Sequence, residues 1–405
     1  LHPRVRRQRQ MCIRDRIYRG DSMPLNKYGT FINARIAIFQ HILLLKDVVI
    51  LDCSTSGHAV YNYGHLSRLF CRRIDKTTYS THFNEYDLAL GRFDSVYQAI
   101  DEIKKNEKSK FLFLMPTSLN AILGTDIDAL IADIKDKKKI DAFTISVDLN
   151  DDFYKGEIAF YSSLLPYIHI KESLCYNLIG DEVSHANQIK HQKIKQLLKN
   201  RLNIECLYDS LDFHFLSHLN FSNRINIITS QSALPLAKEL FKKGIPFVFF
   251  NSLDKNEEEK QMKEIAKIIQ TDFQVFFQDN DEYIKLQFKN VVQITQPQIV
   301  AYLNIDHLMA IKSLFNTMNI PIQCYATHKN QHFPFFSLTE FIDQYASQNV
   351  IILSNERVQK YCKKAIAVEY LGLDYQLLIP NDTDYSLKEG GYLLLKQIIN
   401  LILLQ

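Results

Sequence analysis

The chain of 405 residues is 46% hydrophobic and 23% charged with only 12 glycines, a balance that suits two or three packed domains and excludes a disordered or glycine-linker protein. No run of about 18 apolar residues occurs, which excludes a transmembrane helix; the longest candidate, Ile36 to Leu51, is broken by Gln40, His41, Lys46 and Asp47. Seven scattered cysteines without a CxxC pair fit a reducing compartment, and with no secretory signal the expected location is the cytoplasm.

The first sixteen residues, LHPRVRRQRQMCIRDR, hold six arginines and one aspartate; the other 389 residues hold nine arginines, with 42 basic and 44 acidic side chains, so the body carries −2 rather than +3. A basic arm for nucleic acid or membrane is one reading of that segment. The composition break favours another: residues 1–16 as translated adapter or vector sequence fused to a truncated gene, to be set aside in reasoning about the fold. Elsewhere basic and acidic residues interleave, so no nucleic-acid stripe is expected.

Short apolar runs alternate with helical spacing along the rest. Val48–Leu51, Phe111–Met115 and Ala142–Val147 read as buried parallel strands. Ser95–Lys105 and Ile122–Ile134 between them carry apolar residues at helical spacing. A second unit follows: strands Cys175–Ile179, Ile204–Leu207, Ile225–Ile228 and Ile245–Phe250, with helices Asn187–Leu202, Ala233–Phe241 and one ending at Ile269. The charged run Asp254–Glu259 that opens this last helix is expected to be a solvated face. The third unit has strands Ile299–Tyr302, Ile320–Tyr325 and Asn349–Leu353, helices Ile305–Asn316 and Ser337–Tyr345, and a terminal helix Gly390–Leu403. The expected architecture is α/β: three Rossmann-like parallel-sheet αβα domains over 17–150 (joined by the C-terminal helix), 151–290 and 291–405.

The stretch from Cys53 to Gly91 reads CSTSGHAVYNYGHLSRLF, a variable patch, then THFNEYDLALG; the next strand leads into MPTSLNAILGTD. This order resembles the component 1 subunits of nitrogenase-type oxidoreductases, the beta and scaffold subunits above all. The family's small-x-Gly-Cys turn falls on Ser56-Gly57-His58, its tyrosine on Tyr61 and its Arg-x-Phe on Arg68-Leu69-Phe70. Its Thr-Glu element falls on Asn84-Glu85, and its Thr-Thr-Cys segment on Pro116-Thr117-Ser118. Asn177–Gly180, Gly244–Phe247 and Glu389–Tyr392 are later signposts. The resemblance spans about Pro24 to the end and rests on order and spacing together.

The resemblance implies a metallocluster held by thiolates, because iron in such clusters takes soft sulfur ligands. The positions that match the family's cluster cysteines are His58 and Ser118, and the upstream one falls near Ser22 or Asn33. Imidazole can ligate iron, but serine and asparagine replace thiolates poorly. The expectation is therefore that this chain alone binds no cofactor, and that an iron–sulfur cluster or metallocofactor, if present, is shared with a partner. The implied partners are a homologous component 1 subunit and an ATP-dependent iron-protein reductase; neither nucleic acid nor membrane is expected. His58, Ser118, Tyr61 and Glu85 are the candidate cofactor-binding residues, with no catalytic residue assigned. Cys53 reads as a buried small hydrophobe and Cys71, beside Arg72 and Arg73, as a surface thiol.

Histidines 58, 65 and 82 with Glu85 and Asp87 match no metal-site spacing, and His328 and His332 read as solvated loop residues. Neither GxGxxG nor a Walker A loop occurs, so this chain is not expected to bind a dinucleotide or hydrolyse ATP. The turns Pro116-Thr117-Ser118 and Thr229–Ser232 could form part of a cleft at strand carboxyl ends, although helix capping accounts for their serines more simply. Two functions stay open: a cluster-ligand-poor subunit of a nitrogenase-like oxidoreductase complex, or a non-redox scaffold for a metal cofactor, tetrapyrrole or small molecule. A solute-binding protein of similar layered fold is the remote third.

Overall fold

The computed structural model describes residues 33–54, 78–81, 87, 90, 93–117, 125–148, 151–273, 280–369 and 385–403. Within them the first region comprises helix α1 (Ala34–Ile42), strands β1 (Val48–Asp52) and β2 (Thr78–Ser80), helix α2 (Asp94–Asn106), β3 (Phe111–Met115), α3 (Ile127–Lys138) and β4 (Asp141–Phe143). Next come α4 (Phe153–Ser163), β5 (Ile168–Lys171), β6 (Tyr176–Ile179), α5 (His185–Leu202), β7 (Cys206–Asp209), β8 (Leu219–Ser222), β9 (Asn226–Ile228), α6 (Leu234–Lys242), β10 (Phe247–Phe249) and α7 (Lys255–Ile269). The last region holds α8 (Asn280–Thr295), β11 (Ile299–Leu303), α9 (Ile305–Thr317), β12 (Gln323–Ala326), α10 (Leu338–Tyr345), β13 (Ile351–Asn355), the short α11 (Glu356–Gln359), β14 (Ala365–Glu369) and α12 (Leu387–Leu403).

These strands form three four-stranded sheets, all parallel, ordered β2-β1-β3-β4, β7-β6-β9-β10 and β12-β11-β13-β14. A separate pair, β5 and β8, runs parallel beside them. One topology is thus repeated three times. In each sheet the strand order reverses between the first and third strands, and a crevice opens outside the carboxyl ends at such a reversal. The central strands are buried on both faces because helices cover both sides; β1, β11 and β13 have no exposed residue.

Local sequence explains the helices. Val96, Ile100 and Ile103 form the buried stripe of α2. The Asp126 carboxylate caps α3 by accepting from Ala129 N at 2.9 Å, which starts that helix later than its apolar spacing suggests. The strand expected over Ala142–Val147 ends at Phe143; beyond it the Thr144 hydroxyl donates to Leu114 O at 2.9 Å.

α1 and α4 cross at close range. A Cβ at Gly156 would lie 2.2 Å from Ala34 O, so only glycine lets the two backbones meet there. Both helices pack into one core that joins the first sheet (Ile50, Phe113) to the second (Ile179, Ile228). The join is also polar: the Asp47 carboxylate accepts from Leu216 N at 2.6 Å and from Ser217 N at 3.0 Å.

Two expectations are corrected here. Leu394, Leu395, Ile398 and Ile402 of the C-terminal helix α12 lie in the third region's core with Phe288 and Ile299, not in the first domain. The run Asp254–Glu259 is not all solvated: Asp254 is fully buried, caps α7 and pairs with Lys285 Nζ at 2.5 Å, and Glu258 is buried too. Lys285 comes from α8, so the pair ties the second region to the third.

Candidate functional site

Carboxyl ends of the second and third sheets face one another across a cleft of about 220 Å³. Its walls are the residues that follow each strand at the order reversals. Asp181 follows β6, Ser230 follows β9, Asn304 follows β11 and Asn355 closes β13. Helices α4, α9 and α10 also begin here, capped by the side chains of Asp152, Asn304 and Ser337. Gly180, with φ +139, makes the turn into Asp181; a Cβ there would meet Thr229 Oγ1 at 2.5 Å and Ser230 N at 2.6 Å, so the ends of β6 and β9 close on each other only around a glycine.

Behind one wall, joined to it through Asp181 and Lys190, lies a buried ionic network. His191 of α5 has Nδ1 2.5 Å from the Asp209 carboxylate, and Nε2 3.2 Å from Asp181 and 3.3 Å from Thr229 Oγ1. Lys190 closes on Asp181 at 2.9 Å and Lys195 on Asp209 at 2.7 Å. Burial works against the imidazolium, but the facing carboxylates of Asp209 and Asp181 outweigh it and push the His191 pKa up to about 9. Burial likewise opposes ionisation of both aspartates, yet the cations around them hold each well below the usual carboxylate range.

The opposite wall carries a carboxylate with neutral donors only. Asp306, 7% exposed in the first turn of α9, accepts from Ser230 Oγ at 2.8 Å and from Gln231 N at 2.8 Å. Asn251 donates to its backbone carbonyl at 3.0 Å. Burial raises the Asp306 pKa to about 6 against the pull of those two donors. Its neighbour His307 is lowered to about 4 by burial, helped by the Lys190 charge, and so stays neutral. His328 stacks on Tyr154 with ring centroids 4.5 Å apart. It is buried, not solvated as expected from its loop; burial lowers its pKa, and its Nε2 has no hydrogen-bond partner among the described residues. His332 is exposed.

His58, Tyr61, Glu85 and Ser118 all lie outside the described residues, as do His65, Cys71 and His82. The segments that lead to His58 and Ser118 leave from adjacent strand ends, since Asp52 of β1 pairs with Met115 of β3. Arg35 of α1 bridges those ends, contacting the buried Asp52 carboxylate and donating through Nε to Pro116 O at 3.1 Å. Asn33 has a structural role: its side chain caps α1 by accepting from Ile36 N at 3.3 Å. At Thr229–Ser232 capping and cleft coincide, because Ser230 accepts from Ser232 N at 3.2 Å and also reaches Asp306.

An iron–sulfur cluster does not fit the donors of this cleft. Its described lining offers carboxylates, imidazoles, amides and hydroxyls, and no cysteine. Cys53 is buried at the end of β1, where burial and the adjacent Asp52 push its thiol far up. Burial raises Cys206 and Cys362 as well, and Cys324 to about 11, so these thiols resist becoming thiolates.

A sequence profile of the nitrogenase component 1 type oxidoreductases matches residues 40–364. The chain belongs to that family. Two solved structures share its fold: "Nitrogenase Cp1 at pH 6.5" superposes with TM-score 0.72 at 14% identity over 94% of each chain. "Nitrogenase Cp1 at pH 5" gives TM-score 0.64 at 11% identity, over 94% of this chain and 90% of the other. No curated protein matches the sequence. As a component 1 type family member the chain has the expected α/β fold of repeated parallel sheets, and no described helix is long and apolar enough to cross a membrane.

Sequence reasoning reached the frame and the Thr229–Ser232 turn but missed Asp181, His191 and Asp306. The available signal was positional: each apolar strand run ends in a small or polar residue, Gly180-Asp181, Thr229-Ser230, Asn304 and Asn355, and such residues mark the functional end of a parallel sheet.

Proposed function

We propose that this chain is the cluster-ligand-poor subunit of a nitrogenase-like oxidoreductase complex. It pairs with a homologous subunit that supplies the cysteines, and an ATP-dependent iron-protein reductase delivers the electrons. What supports the reading is the combination of a component 1 family match over residues 40–364 with oxygen and nitrogen donors in the described lining of the cleft. In this reading His58, Ser118, Tyr61 and Glu85 border the surface shared with the partner. The cluster is the partner's; this chain contributes the shape and charge of the site. Co-expression with a cysteine-bearing paralogue tests it: the two chains should co-purify as one assembly, and a stable monomer beside an unassociated paralogue counts against it.

The thiol-free cleft also favours a second reading, a non-redox scaffold or binding protein. In that reading the cleft holds a metal cofactor, a tetrapyrrole or a small molecule through its carboxylate, imidazole, amide and hydroxyl groups.

A further inference from the structure

Five carboxylates line the cleft (Asp152, Glu157, Asp181, Glu182 and Asp306) against two cations, Lys190 and Arg357. Lys190 is already engaged by Asp181 at 2.9 Å. His307 and His328 are held neutral by burial. Asp306 has no cation at hydrogen-bond distance: its carboxylate partners are a hydroxyl and a backbone N–H, and the Lys190 charge offsets its burial only in part. The helix N-termini that open on the cleft soften this excess, but each acts over about one turn and each carries its own capping side chain. The resulting field is negative at Tyr154, whose phenol is raised by burial first and then by Asp306, Glu157 and Asp152 together.

A second, independent feature points to a ligand. His328 is 5% exposed, lines the same cleft, and leaves Nε2 without a partner among the described residues. A buried polar atom left this way is destabilising, and as a neutral imidazole it can accept a hydrogen bond. The ring is fixed by its stack on Tyr154, and Phe335 and Tyr302 supply further aromatic wall. Aromatic faces with an uncompensated carboxylate are the chemistry that recognises a nitrogen cation.

We infer that the cleft binds a small planar organic cation of the amidinium or guanidinium class, its N–H groups donating to the Asp306 carboxylate and to Nε2 of His328. The inference rests on the cleft being the ligand site of the proposed function and adds the charge and shape of what enters it. Three probes of one shape separate the possibilities: benzamidinium, neutral benzamide and anionic benzoate, titrated calorimetrically into the purified full chain, or into its complex where one forms. Benzamidinium should bind saturably, at least about tenfold tighter than benzamide, a ratio that one charge-assisted hydrogen bond supplies; benzoate should not bind. Asp306→Asn keeps the shape and should remove that preference, while Lys242→Ala, an exposed residue outside the cleft lining, should keep it. Benzoate binding as well as benzamidinium would overturn the ligand class but leave the cleft as a site. No binding by any probe would overturn both. The order of the three probes on the wild-type chain decides the matter even where the Asp306 variant fails to fold.

Discussion

Two walls of one cleft bury carboxylates in opposite ways. On the α5 side Asp181 and Asp209 each face His191 and a lysine, so every charge has a partner. On the α9 side Asp306 is hydrogen-bonded by a hydroxyl and an amide N–H, and the Lys190 charge reaches it without an ion pair. The difference separates structure from function. A matched network holds the ends of β6 and β7 to α5 and is complete without a ligand. A buried carboxylate with no ion pair and an imidazole nitrogen without a partner among the described residues, both lining one cleft, cost stability in the free protein, a cost retained where a ligand supplies the missing partners.

The largest effect expected from that contrast is at His191. His191→Ala takes one of two cationic partners from each of two buried carboxylates and should cost about 3 kcal/mol, read as a lower urea midpoint. A loss under about 1 kcal/mol would mean the network is not ionic. Asp306→Asn should go the other way: removing an uncompensated charge should leave stability unchanged or raise it by up to about 2 kcal/mol at neutral pH, since one unit of upward shift is worth about 1.4 kcal/mol. Equal destabilisation by both variants would erase the distinction between the walls.

The pH dependence sharpens the comparison because the two walls titrate in different windows. The folded state raises Asp306 from 3.8 to about 6, so it binds the extra proton between those values, and stability from this group falls as pH rises through that window. His191 is raised from 6.5 to about 9; its contribution is complete below 6.5 and is lost as pH rises through 9. The folded state lowers Asp181 and Asp209, so their contribution is present above 3.8 and is lost on acidification. Urea midpoints across pH should show the acid-side window abolished by Asp306→Asn and the alkaline one by a His191 variant. The smallest effect belongs to His328→Phe. It keeps the stack on Tyr154 and removes an unsatisfied nitrogen, so the unfolding free energy should hold or rise by about 1 kcal/mol at most, read as an unchanged or higher melting temperature.

Strands were legible wherever burial on both faces made a continuous apolar run, as in β1, β3, β6, β9, β11 and β13. β2 was not, because it is three residues long, Thr78-Tyr79-Ser80, at a sheet edge. α4 was hidden by Gly156, whose cost in helix propensity is offset by the close packing on Ala34. Reading Asp254–Glu259 as solvated missed Asp254 because its partner Lys285 lies 31 residues away, and no local pattern announces a long-range ion pair. For the same reason the cleft stayed invisible: it joins Ser230 to Asp306 across 76 residues. The sequence signal for strand ends was present, but which ends face each other is decided by how the second and third sheets pack.

The most direct test of the ligand-poor subunit is an iron and acid-labile sulfide count after anaerobic reconstitution, made on this chain alone and on its co-purified assembly with a cysteine-bearing paralogue. Cluster-level iron and sulfide should appear only in the assembly, and replacing the paralogue's cysteines should abolish them. Stoichiometric uptake of both by this chain in isolation would contradict the assignment.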